Sequence, residues 1–165
     1  MYSAIKYSVF FAFLVFSMAT NVLGAITPLV IDKFALSMAE GGLLTLAFFI
    51  AFGVSSIPAG IFSDKYGKKA AMLFGIAVLF LGLGAFLLGS SFISFLLSTL
   101  VTGIGVTFIQ VGANTLIEDI SKAGDYVKNI NLTHAIFGIG SGAVPLLIGF
   151  LLNNGYGDMC PRNVW

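Results

Sequence analysis

Apolar residues dominate five stretches of the chain, at 9–31, 42–62, 70–89, 92–117 and 131–152, and polar residues collect between them. Each stretch is close to the roughly 20 residues that a helix needs to cross a bilayer core about 30 Å thick. The short alternating segments of a membrane barrel, roughly ten residues each, are not present. Inside hydrocarbon a backbone must satisfy its own N–H and C=O groups, which a helix does. The pattern predicts an all-α, polytopic membrane protein with five transmembrane helices.

Composition strengthens this reading. Apolar residues make up 58% of the chain and charged residues 9%, and the mean hydropathy is +1.04. A soluble domain carries about 25% charged residues. There is too little polar surface here to clothe a globule in water, so the lipid bilayer is the first expected partner. The net charge of +1 suggests no nucleic-acid partner. One cysteine, Cys160, provides neither an internal disulfide nor a thiol pair for a metal. Lys6 before an apolar run ending near Gly24-Ala25 has the outline of a signal peptide. That reading is rejected, because the run continues to Ile31 and four more follow.

The charges orient the chain. Lys6, Lys65, Lys68, Lys69, Lys122 and Lys128 fall on one side of the membrane, and Lys33 and Arg162 on the other. The positive-inside rule then puts the N-terminus in the cytoplasm, in a cell membrane (plasma or inner). Asp32 and Glu40 lie in an outer loop, and Ser90-Ser91 form a tight outer turn. Helical spacing places Gly103, Thr107, Gln110 and Asn114 on one face of the fourth span. The same spacing places Asn131, His134, Gly138, Ser141 and Pro145 on one face of the fifth. Small residues of this kind allow close helix approach in lipid, and Pro58 and Pro145 can kink their helices. The polar segment 153–165 does not continue the pattern into a sixth span, and reads as a truncation or a shifted frame.

Between the second and third spans stands Gly60-Ile-Phe-Ser-Asp64-Lys65-Tyr-Gly67-Lys68-Lys69. Gly67 suits a tight turn, and the Asp64 carboxylate suits the positive end of a helix. The spacing resembles the signature loop of the major facilitator superfamily, in the loop where that family keeps it. The resemblance implies a helical bundle that is the N-terminal half of a twelve-helix transporter, with five of its six helices at 1–152. It also implies a latching role for Gly60, Asp64, Lys65, Gly67, Lys68 and Lys69 on the inner side, and a C-terminal half bundle as partner. Read without the resemblance, any short cytoplasmic loop collects lysine, glycine and aspartate.

A narrower likeness runs through Asn21-Val-Leu-Gly-Ala-Ile-Thr-Pro28, Gln110-Val-Gly-Ala-Asn114-Thr and Asn131-Leu-Thr-His134-Ala-Ile-Phe137-Gly138-Ile-Gly140-Ser141. These segments are similar to the fucose–galactose–glucose cation symporter branch. Physical chemistry points the same way, since buried amides in lipid tend to face a wet cavity. Amide side chains donate and accept at once, as the hydroxyls of a sugar require. Asn21, Gln110, Asn114 and His134 are the candidate substrate-binding residues, and Phe48, Phe49 and Phe52 offer a flat wall for a sugar's C–H face. The alternative for Gln110 and Asn114 is an interhelical hydrogen bond that holds the bundle together. For His134 it is a neutral ring satisfied by a helix neighbour, against a proton-linked gate.

Two departures from that branch bear on coupling. Its proton-coupled members carry carboxylates where this chain has Gly24 and Gln110, and no acidic residue lies deep in any span. Proton coupling therefore has no evident carrier, and sodium or another coupling cation, or plain facilitation, stays open. The fourth span also lacks the arginine that many facilitators carry. The fifth span's glycine–proline spacing does not match that of drug–proton antiporters.

Gly138-Ile-Gly140-Ser-Gly142 has no preceding strand and reads as packing rather than a dinucleotide loop. Asn131-Leu-Thr133 is a glycosylation sequon on the cytoplasmic side, hence accidental. With no nucleophile, carboxylate pair or metal cluster, neither an enzyme nor a cofactor is expected. The expected function is alternating-access transport of a small solute, a hexose-type sugar. The alternatives are a drug or metabolite efflux facilitator and a non-transporting truncated membrane protein.

Overall fold

The computed structural model describes residues 2–122 and 124–153. The polar tail beyond Asn153, with Cys160 and Arg162, lies outside the described residues. Five helices form in chain order: α1 (Tyr2–Phe34), α2 (Met38–Tyr66), α3 (Lys68–Leu88), α4 (Phe92–Ile120) and α5 (Tyr126–Asn153). All five are long and apolar enough to cross a membrane. The chain is an all-α, multi-pass membrane protein. α1, α2 and α5 run past the apolar stretches at both ends, because polar first and last turns continue the same hydrogen-bond ladder. Pro28, Pro58 and Pro145 lie inside unbroken helices.

The turns are short and chemically specified. Ser37 and Glu40 cap α2 reciprocally: the Ser37 N–H donates to Glu40 Oε2 at 2.8 Å, and the Glu40 N–H to Ser37 Oγ at 3.3 Å. Ser91 and Ser94 repeat the exchange at the start of α4. Gly67 alone separates α2 from α3, at φ +92°, a backbone conformation that other residues adopt only with strain.

α4 is the central element. Its longest seam is with α3, then α2, while α1 and α5 pack mainly on each other. The α3–α4 seam is nearly backbone on backbone. A Cβ placed on Gly105 would lie 2.5 Å from the Leu79 N and 2.8 Å from the Gly75 O. Gly75 and Gly82 of α3 thus interleave with Gly105 and Gly112 of α4, which is how helices gain contact where no hydrophobic effect drives them together. Phe13, Phe16, Leu23, Phe48, Leu79, Val106 and Ile117 fill the core between the helices. Ile57, Phe80, Leu81, Leu88, Ile139 and Leu146 point outward, each well exposed. Water would penalise such a surface, and hydrocarbon does not.

The end of the bundle that carries Lys6 and Lys68 is also tied by polar contacts. Lys6 Nζ donates to Asn129 Oδ1 at 2.6 Å, and buried Asn129 passes the link to Ser121 Oγ at 2.8 Å. These bonds join α1 to the first turn of α5 and, through it, to the end of α4.

Candidate functional site

α1 carries a stripe at helical spacing, Phe16, Thr20, Leu23, Gly24 and Thr27, which faces α2 and α4 across an open gap. The gap is a cavity of about 400 Å³ to which all five helices contribute. α1 supplies that stripe and Asn21; α2 supplies Leu44, Thr45, Phe48, Phe49 and Phe52. Phe86 comes from α3, Thr99, Val106 and Gln110 from α4, and Phe137 and Ser141 from α5. Its size falls in the range of small-molecule sites, on the order of 300–1,000 Å³.

Six of these residues are phenylalanines, and none is charged. Phe48 and Phe52 lie nearly parallel, with ring centres 6.3 Å apart, and Phe16 meets Phe137 at 5.1 Å. The polar groups divide into two kinds. Thr20, Thr27 and Thr99 turn their hydroxyl protons back to the carbonyls of their own helices. Asn21 and Gln110 carry amides. Asn21 Nδ2 donates to the Ser17 carbonyl and to Ser141 Oγ, each at 2.8 Å. Gln110 Oε1 is buried with no hydrogen-bond partner, an arrangement that costs about 1–3 kcal/mol unless something else supplies a proton.

The other sequence candidates sit elsewhere. Asn114, one turn beyond Gln110, does not border the cavity, and its Oδ1 is also buried without a partner. The face expected to unite Gly103, Thr107, Gln110 and Asn114 divides between two neighbours. Gly103 abuts the Phe48 backbone and Thr107 Oγ1 donates to the Phe52 carbonyl at 3.2 Å, so both face α2, while Gln110 faces the cavity. His134 is exposed on α5, its ring edge-on to Phe13 at 6.2 Å. Asn21, Gln110, Phe48, Phe49 and Phe52 are therefore brought together, and Asn114 and His134 are not.

Gly60, in α2, is partly buried, and Asp64, Lys65 and Lys69 are exposed around the Gly67 turn. Lys65 Nζ sits 5.2 Å over the Tyr66 ring. Lys68 points the other way: it forms an ion pair with Asp119 and donates to the Thr115 carbonyl at 3.1 Å. The α2–α3 turn is thereby fastened to the end of α4 within this same bundle. Among the described residues no group of three or more metal-ligating side chains occurs.

Sequence reasoning did not mark Thr45, Thr99, Phe86 or Phe16 as cavity residues. The α1 stripe was detectable from its spacing. Phe86 and Thr99 carry no such signal, since each is one of several phenylalanines or hydroxyl residues spread along its helix.

Comparison with known proteins agrees with this architecture. The profile of the Major Facilitator Superfamily matches residues 9–164. The L-fucose-proton symporter of Haemophilus influenzae is 28% identical over 127 residues, covering 74% of this chain and 28% of that protein. Quinolone resistance protein NorA of Staphylococcus aureus is 28% identical over 145 residues, covering 88% of this chain and 36% of that protein. The chain thus spans between 28% and 36% of the length of these curated relatives. With the family profile covering nearly all of it, the chain belongs to the Major Facilitator Superfamily.

Proposed function

We propose that this chain forms one wall of a secondary transporter's central site and that the solute is a small neutral molecule, a hexose-type sugar. The observation that carries the reading is the cavity's lining: rings and hydroxyls, two amides, and no charged side chain. A charged solute desolvated there would lack a counter-charge. A sugar offers hydroxyls to Asn21 and Gln110 and its C–H faces to Phe48, Phe49 and Phe52. The similarity to an L-fucose-proton symporter supports this class. Alternating access would come from rocking against a second bundle, with the Gly60–Lys69 segment latching the halves on the cytoplasmic side. The lysine distribution supports a cytoplasmic N-terminus in a plasma or inner membrane. Among the described residues no carboxylate borders the cavity, so a proton carrier would come from elsewhere in the complete protein, or another cation would couple.

Uptake of tritiated L-fucose, D-galactose and D-glucose by cells expressing the complete protein tests the reading. Saturable uptake of at least one is expected, with KM raised roughly fivefold in Gln110→Ala, the loss of one neutral hydrogen bond. A second reading, export of flat aromatic solutes, is favoured by the six phenylalanines and by the similarity to a quinolone resistance protein. Extrusion of a quinolone with no uptake of any of the three sugars would establish it instead.

A further inference from the structure

The hydrogen bonds in the α1–α5 wall of the cavity form a chain whose direction is set by its ends. The Phe137 carbonyl only accepts, so Ser17 Oγ gives it its single proton. Ser17 Oγ then has lone pairs alone to offer Ser141 Oγ, 3.1 Å away, and Ser141 must donate to it. With its proton so placed, Ser141 Oγ accepts from Asn21 Nδ2 at 2.8 Å. The second Asn21 N–H donates to the Ser17 carbonyl, also at 2.8 Å. Turning the amide over would set its oxygen against that carbonyl oxygen, so the orientation follows from the chemistry of the partners.

Both amide protons of Asn21 are therefore used inside the wall, and its Oδ1 remains free on a residue that borders the cavity. Water has little access to the chain from behind. Ser17 is fully buried, and its Oγ lies 2.8 Å from where a Cβ on Gly140 would stand.

We propose that Asn21 is a fixed hydrogen-bond acceptor that selects a donating hydroxyl on the solute, and that Ser141 is the positioning residue that holds it in that state. Without Ser141 the amide keeps only its bond to the Ser17 carbonyl, can swing about that bond, and no longer holds its Oδ1 in place for the solute. The proposal rests on the sugar reading of the cavity.

The test uses whichever of tritiated L-fucose, D-galactose and D-glucose the complete protein takes up. Its monodeoxy and deoxyfluoro analogues serve as competitors, since fluorine cannot donate. At one ring position both analogues should compete about equally badly, roughly fivefold weaker than the parent sugar. In Asn21→Ala that penalty should vanish. Ser141→Ala should raise KM a few-fold in the native background, leave it unchanged in the Asn21→Ala background, and be rescued by Ser141→Thr. A Ser141→Ala effect of equal size in both backgrounds overturns the positioning role. Full retention of affinity by every deoxyfluoro analogue overturns the acceptor role, and needs no variant that might misfold. Absence of uptake of all three sugars overturns the sugar reading and the proposal with it, whereas uptake with no deoxyfluoro penalty and an additive cycle overturns the proposal alone.

Discussion

Gln110 and Asn114 carry the same defect, a buried carbonyl oxygen without a donor, but only Gln110 borders the cavity. Replacing a buried unsatisfied group by an apolar one of similar shape is nearly neutral or stabilising. Gln110→Leu and Asn114→Leu should both keep or raise the melting temperature of the detergent-solubilised protein. Solute affinity should fall in Gln110→Leu and hold in Asn114→Leu. Parallel uptake kinetics and melting curves check this; a matching loss of affinity in both would move the solute site beyond the cavity. Asn21 and Gln110 were legible in the sequence because an amide in a run of apolar residues stands out. Which of the polar side chains meet was not legible, since Asn114 differs from Gln110 by one turn and its surroundings come from other helices.

At the level of elements, the helices follow from local chemistry. The α2–α3 turn follows from Gly67 and the α2 cap from Ser37 and Glu40, all three readable in order along the chain. The seams between helices are another matter. The glycines of α2, α3 and α4 looked alike in sequence, yet some meet backbone and others meet nothing. A Cβ on Gly105 would collide with the main chain of α3, which cannot swing aside as a side chain would. Gly105→Val should therefore destabilise the protein by about 1–3 kcal/mol or more. Gly53 has nothing within 4 Å of where a Cβ would stand, so Gly53→Ala should be neutral or gain about 0.5–1 kcal/mol from the helix interior. Thermal unfolding in detergent distinguishes the two. Equal losses would place the close contact elsewhere.

On the scale of the whole molecule, the bundle gathers most of its lysines at one end. Lys6, Lys68, Lys69, Lys122 and Lys128 gather at one end, and Asp32 and Glu40 at the other. Cysteine substitution in a Cys160→Ser background, with a membrane-impermeant maleimide on intact cells, reads the orientation directly. Glu40→Cys should label and Lys69→Cys should not; the reverse pattern would invert the topology. Which runs cross the bilayer was determined by the sequence alone, because transfer into hydrocarbon depends on composition summed along one segment. The superfamily was legible for a similar reason, since the Gly60–Lys69 signature is contiguous. Only the tertiary structure decided that Asn21 and Ser141 share a bond, that Phe86 and Thr99 face the cavity, and that Lys68 turns back to Asp119. Those relations depend on how far each helix is rotated and how closely it approaches its neighbours. In lipid that geometry is set by steric fit between distant residues rather than by any pattern along the chain.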